Sequence, residues 1–199
     1  MLEILRTKRH MISKLFIYQF AMSLLGLFVV SPFKGTVQIA ASVFAVLFYY
    51  SLVCYAVIED GQKDFVSHTA GRIAGKWYTG LVYSLVSYLP TIVIVLFQSI
   101  ISLLTSPATL GSLKAIINVI IRFFLMGMYL GIDTGLINRT EDPTTHLLVS
   151  DAPEWLVFLS ENSLIFAILL IVMPVVCAIS YNLAFKGKIH VDTSEKKKK

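Results

Sequence analysis

The chain has 199 residues, 56% hydrophobic and 15% charged, with a mean hydropathy of +0.76. Ordinary globular domains run about 45–50% apolar and about 25% charged, so a water-soluble fold of this size would lack the polar surface to cover itself. The formal charge of +5 gathers largely at the two ends, in "RTKRH" and "EKKKK", where it flanks apolar runs; attraction to anionic headgroups accounts for it without nucleic acid.

The apolar residues lie in long runs, the pattern of membrane spans. The first run, 12–30, follows a basic start but shows no clean small-x-small cleavage site before "SPFKGTVQIAAS", so it is expected to be an uncleaved signal-anchor helix ending at Pro32 and Gly35. The second, 36–58, has no charged residue. A polar stretch, 59–76, follows and is expected to be a solvated loop or a docking site for a partner. The third run, 77–104, opens on Trp77 and Tyr78 at headgroup level and carries Pro90 midway, with Ser84, Ser87 and Thr91 within about a turn.

The fourth run, 115–137, reads "AIINVIIRFFLMGMYLGIDTGLI" and holds two charges, Arg122 and Asp133. On a straight helix stepping about 100° per residue, Asn118, Arg122, Tyr129 and Asp133 form one polar stripe. Gly127, Gly131 and Gly135 fall on the other side as overlapping GxxxG units, a face for close helix contact. Eleven residues separate Arg122 from Asp133, about 16 Å along a straight axis, so each is expected to need its own partner. Charges in lipid cost about 2.5–3.5 kcal/mol each on insertion scales, which places this helix at the centre of a bundle.

The connection 139–161 is the most acidic part. Asp151 and Pro153 suit a helix start, predicting a short interfacial helix near 152–160 that carries Trp155. The fifth run, 162–185, holds Pro174 midway and Tyr181 near its end, and a basic tail, 186–199, follows.

The expected fold is an all-α polytopic helix bundle with about five transmembrane helices, a single integral-membrane domain over 1–199. Five crossings divide Lys and Arg evenly, with 6, 8, 9, 14, 63, 72, 76 and 139 facing 34, 114, 186, 188 and 196–199. Four crossings, with the first run dipping and returning, would satisfy the positive-inside rule better. Five is preferred on hydrophobicity, with a cytoplasmic N-terminus and a bacterial inner membrane as the setting.

Reactive constellations are lacking. "GRIAGKW" has three residues between its glycines and no Ser or Thr after the lysine, so it is no Walker loop. There is no HExxH or GxSxG, and His10, His68, His146 and His190 are scattered. Cys54 and Cys177 sit in apolar runs and read as small core residues. Asn138-Arg139-Thr140 is a formal glycosylation sequon. No metal, cofactor or enzymatic activity is expected. The expected partners are the bilayer and a protein docked through the glycine face or the 59–76 stretch. Two functions fit: a non-enzymatic subunit or assembly partner of a membrane transport system, and a solute-binding or transporting protein. The second would have a midplane cavity lined by Asn118, Arg122, Tyr129 and Asp133 near the prolines Pro90 and Pro174.

Overall fold

The computed structural model describes residues 2–72, 76–104, 116–137, 139–141, 148–150, 152–161 and 164–189. Asp151, Asn138 of the sequon and the tetralysine tail lie outside them. The elements in chain order are α1 (Leu2–Thr7), α2 (Arg9–Val30), α3 (Gly35–Thr69), α4 (Thr79–Leu104), α5 (Ile116–Leu125), a 3₁₀ turn (Gly127–Tyr129), α6 (Leu130–Ile137), α7 (Glu154–Glu161) and α8 (Leu164–Phe185). A short antiparallel ladder pairs β1 (Arg139–Glu141) with β2 (Leu148–Ser150), and α7 stands where the interfacial helix was expected. Helices α2, α3, α4 and α8 are each long and apolar enough to cross a membrane; α5 and the turn after it make a fifth candidate only if that bent pair counts as one span.

Two boundaries differ from the sequence reading. The 59–76 stretch is not a loop: α3 runs on to Thr69. Its 35 residues span about 52 Å, against a hydrocarbon core of about 30 Å. The apolar part ends at Ile58, so the polar end stands beyond it. A Glu59–Lys63 pair one turn apart supports that end. It stops at Gly71, whose φ of 69° admits a Schellman cap: Gly71 N donates to His68 O and Arg72 N to Ser67 O. Gly187, with φ 67°, closes α8 the same way. The second difference is the fourth run, which is broken: α5 and the arm after it are bent by 89°.

The chain forms two compact units. The first comprises 1–16, 50–88 and 171–199. Its core holds Leu15, Val53, Val57, Tyr83, Tyr88, Cys177 and Tyr181. Gly80 lets α4 meet Tyr181, because a Cβ there would fall 2.5 Å from the Tyr181 Cβ, and Tyr83 lies edge-on to the Tyr181 ring. The second unit comprises 17–49 and 89–170, with Tyr49, Val95, Ile121, Met126, Met128, Tyr129 and Phe166 in its core.

In both, the usual distribution of polarity is inverted. Phe28, Phe44, Leu47, Leu89 and Ile171 are exposed, while Gln19, Ser23, Ser42, Thr91, Gln98 and Asp133 are buried. A soluble fold would lose the hydrophobic contribution of each exposed side chain, about 1.5–3 kcal/mol apiece. A lipid-facing surface loses nothing.

Candidate functional site at the broken helix

The break in the fourth run has an identifiable local cause. Ile121–Leu125 closes as a π-helical turn, with Met126 N donating to Ile121 O, and Gly127–Tyr129 tightens into a 3₁₀ turn. Between them Met126 leaves the helical region, at φ −133° and ψ 20°. Proline is not involved; a π-bulge beside a glycine produces the kink.

Breaking a helix in an apolar setting frees backbone groups that lipid cannot satisfy. Here side chains of α2 and α3 take them up. Ser23 Oγ donates to Phe123 O (3.1 Å) and accepts from Gly127 N (2.6 Å). Gln19 Nε2 donates to Leu125 O at 3.4 Å, and Ser42 Oγ donates to Met128 O. Gln19 is held in turn by Thr91, whose hydroxyl donates to Gln19 Oε1 at 3.1 Å. These residues were not singled out from the sequence, except Thr91. The signal was present, since an isolated amide or hydroxyl in a membrane run needs a partner.

The glycines are packed against the chain's own helices. A Cβ on Gly127 would lie 2.4 Å from Ser23 O, one on Gly131 2.4 Å from Gln38 O, and one on Gly135 2.2 Å from Ile39 Cγ1. Gly26 of α2 reciprocates, with the Met128 Cα 2.5 Å from its Cβ position.

The bend overturns one expectation outright. Arg122 and Asp133, placed about 16 Å apart on a straight helix, form an ion pair with Nη2 3.5 Å from Oδ2. The straight-axis distance does not apply, because the two residues lie on different arms of an 89° corner. Asp133 is 3% exposed and Arg122 35%. Asn118 lies one turn before Arg122. Its Oδ1 and the Arg122 Nε are both buried without a hydrogen-bond partner among the described residues. Tyr129 is buried beside the break. The single-stripe projection of these four residues is therefore replaced by a corner that brings Arg122 and Asp133 together. Pro90 is exposed on α4, and Pro174 is buried in the first unit; neither joins the pair.

A second charged cluster sits in the first unit. Lys8 Nζ lies 2.8 Å from Asp60 and 2.7 Å from Asp64, and the Tyr181 hydroxyl donates to Asp64 Oδ2. Asp60 lies beyond the apolar part of α3. Burial pushes its carboxyl above the usual range, against the pull of the Lys8 ammonium. A cavity of about 130 Å³, lined by His10, Lys14, Glu59 and Lys63, adjoins Lys8 and Asp60. Reading 59–76 as a solvated loop concealed this cluster; the i, i+4 spacing of Asp60 and Asp64 was its sequence trace. The serines near Pro90 serve packing: Ser87 Oγ donates to Ile12 O and Ser84 Oγ to Leu81 O. Among the described residues no His, Cys, Asp or Glu group is arranged to hold a metal.

The corner as a whole offers one buried carboxylate, one guanidinium with an open N–H and one amide oxygen. That set would hold a small polar solute or water by hydrogen bonds. No family model, curated protein or solved structure matches the chain, so the reading of the site rests on its own chemistry.

Proposed function

We propose that the chain is a solute-handling membrane protein whose working element is the broken helix 116–137, with Arg122 and Asp133 as its charged pair and Asn118 as a further solute-facing group. The observation that carries this reading is the ion pair at the corner, with its carboxylate buried, beside polar atoms that the described residues leave unpaired. A helix that only filled space in a bundle would gain nothing from two charges at about 2.5–3.5 kcal/mol each. Broken helices that line water-accessible cavities are the usual way a membrane protein meets a polar solute. The role of assembly partner in a larger transport system is less favoured, because the glycine face that motivated it is occupied by α2 and α3 of the same chain. The setting we propose is a bacterial inner membrane with a cytoplasmic N-terminus, supported by the basic residues Arg6, Lys8, Arg9 and Lys14.

The test is water access. With Cys54 and Cys177 replaced by alanine, Asn118→Cys in the full chain reacts with a membrane-impermeant charged thiosulfonate, and Arg122→Ala or Asp133→Asn changes that rate. An Asn118→Cys thiol that is silent from both sides of the membrane, alongside a stable partner protein retained in mild detergent, would favour the assembly role instead.

A further inference from the structure

Contacts within the first unit decide how many times the chain crosses the membrane between them. Lys8 bonds Asp60 and Asp64, Tyr181 bonds Asp64, and Gln62 Nε2 donates to Ile189 O at 3.2 Å. The Phe65 ring packs on Gly187. Residue 8, residues 60–65 and residues 187–189 therefore share one face of the membrane. Helices α2 and α3, two crossings, separate the first two of these. Helices α4 and α8, two more, separate the second from the third. Ile116–Ile137 lies between α4 and α8 in the chain, so it must contribute an even number; one crossing would carry Ile189 to the far face from Gln62.

Length agrees. The arms Ile116–Leu125 and Gly127–Gly135, bent by 89°, measure about 15 Å and 14 Å and reach about 20 Å corner to corner, short of a core of about 30 Å. Depth agrees as well. The corner touches Gln19 and Ser23, near the middle of α2. Gly131 meets Val30 and Gln38, and Gly135 meets Ile39, at the turn joining α2 to α3. The second arm thus rises from mid-membrane to the face opposite the N-terminus.

We infer that 116–137 is a re-entrant element, entering and leaving by the face opposite the N-terminus, so that the Arg122–Asp133 corner opens to that face. Charge then assigns the faces. Among the described residues at or beyond the ends of the apolar runs, Arg6, Lys8, Arg9, Lys14, Lys63, Arg72, Lys76, Lys186 and Lys188 lie on the terminal face. Lys34 and Arg139 lie on the other, nine against two, and the described segments that follow Arg139 in the chain carry Glu141, Glu154 and Glu161. The terminal face is the cytoplasmic one by the positive-inside rule, and the corner faces outward. This path does not rest on the solute reading.

Single cysteines in the full chain, lacking Cys54 and Cys177, test it in intact cells. Pre-treatment with an impermeant maleimide abolishes later labelling at Lys34→Cys and Arg139→Cys, and leaves Lys63→Cys and Lys188→Cys fully labelled once the membrane is opened. A fusion of green fluorescent protein to the C-terminus of the native chain fluoresces. Protection of Arg139→Cys together with blocking of Lys188→Cys would mean a fifth crossing and overturn the inference. Protection of Lys34→Cys with Lys188→Cys would make the first run the dipping one and overturn it too. If all four behave as expected and Asn118→Cys stays silent from both faces, the re-entrant path stands and the solute reading falls.

Discussion

Replacing Lys8 by methionine removes the cation shared by Asp60 and Asp64 while keeping the length of the apolar stem. Both carboxylates are largely enclosed, with side chains 12% and 14% exposed, and Lys8 itself is at 10%. Asp64 retains the Tyr181 hydroxyl, so Asp60, left with only the weaker pull of the Lys63 charge, is the group most affected. Breaking a buried pair by removing one partner costs about 3–5 kcal/mol. A second route bounds the same number. An abandoned carboxyl can take up a proton, and from an unfolded pKa of about 3.9 that costs about 4 kcal/mol at pH 7. The two agree, and about 4 kcal/mol corresponds to a fall in Tm of roughly 8–16 °C for a chain of this length. Burial already raises the Asp60 carboxyl, and losing Lys8 raises it further. A group whose folded pKa lies above its unfolded one contributes stability at low pH and loses it as pH rises. The gap between Lys8→Met and the native chain therefore narrows from pH 7 toward pH 4, by up to about 1.4 kcal/mol per unit. Thermal unfolding in detergent, followed by tryptophan fluorescence, reads both effects. Adding Asp60→Asn to Lys8→Met recovers most of the loss. A Lys8→Met protein melting within about 2 °C of the native one at pH 7 would refute the reasoning.

Other outcomes follow from the corner. Gly131→Ala and Gly127→Ala each place a methyl group 2.4 Å from a backbone oxygen that cannot swing aside; overpacking of this kind costs about 1–3 kcal/mol, read as lower yield of monodisperse protein in detergent. Ser23→Ala orphans both Phe123 O and Gly127 N, about 1–3 kcal/mol for each buried group left unmade, so its Tm falls further than that of Ser84→Ala, which loses one bond within its own helix. The Arg122–Asp133 pair is asymmetric. Arg122→Ala takes the countercharge from a carboxylate that is 3% exposed, whereas Asp133→Ala leaves a guanidinium already 35% exposed and able to reach water or headgroups. Thermal melts should rank Arg122→Ala below Asp133→Ala, with the loss for Arg122→Ala held under the full buried-pair figure because solvent screens the pair at the arginine end.

The helical fold was legible because spans announce themselves by composition: the runs at 12–30, 36–58, 77–104 and 162–185 match α2, the apolar part of α3, α4 and α8 within a few residues. The extension of α3 to Thr69 was not, since polarity alone does not distinguish a solvated loop from a helix end secured by i, i+4 pairs and a partner lysine 52 residues away. The break at Met126 was invisible for a different reason. Period and hydropathy of 115–137 suit a straight helix, and its bend depends on Gln19, Ser23 and Ser42 being in place to take the freed backbone groups. Arg122 and Asp133 were identified as unusual, but their pairing is a property of the corner and not of their spacing. Gly127, Gly131 and Gly135 were read as a contact face, and the structure gives that face its neighbours within the chain.

The corner itself is the claim on which the rest depends, and one distance measures it. Spin labels at Ile116 and Thr134, both exposed, report the separation of the two arms by pulsed electron paramagnetic resonance in nanodiscs. An 89° bend at Met126 sets their backbones about 19 Å apart, whereas a continuous helix would set them about 27 Å apart. A distribution centred near the shorter value is the expected result; one centred near the longer value contradicts the broken helix and the ion pair built on it.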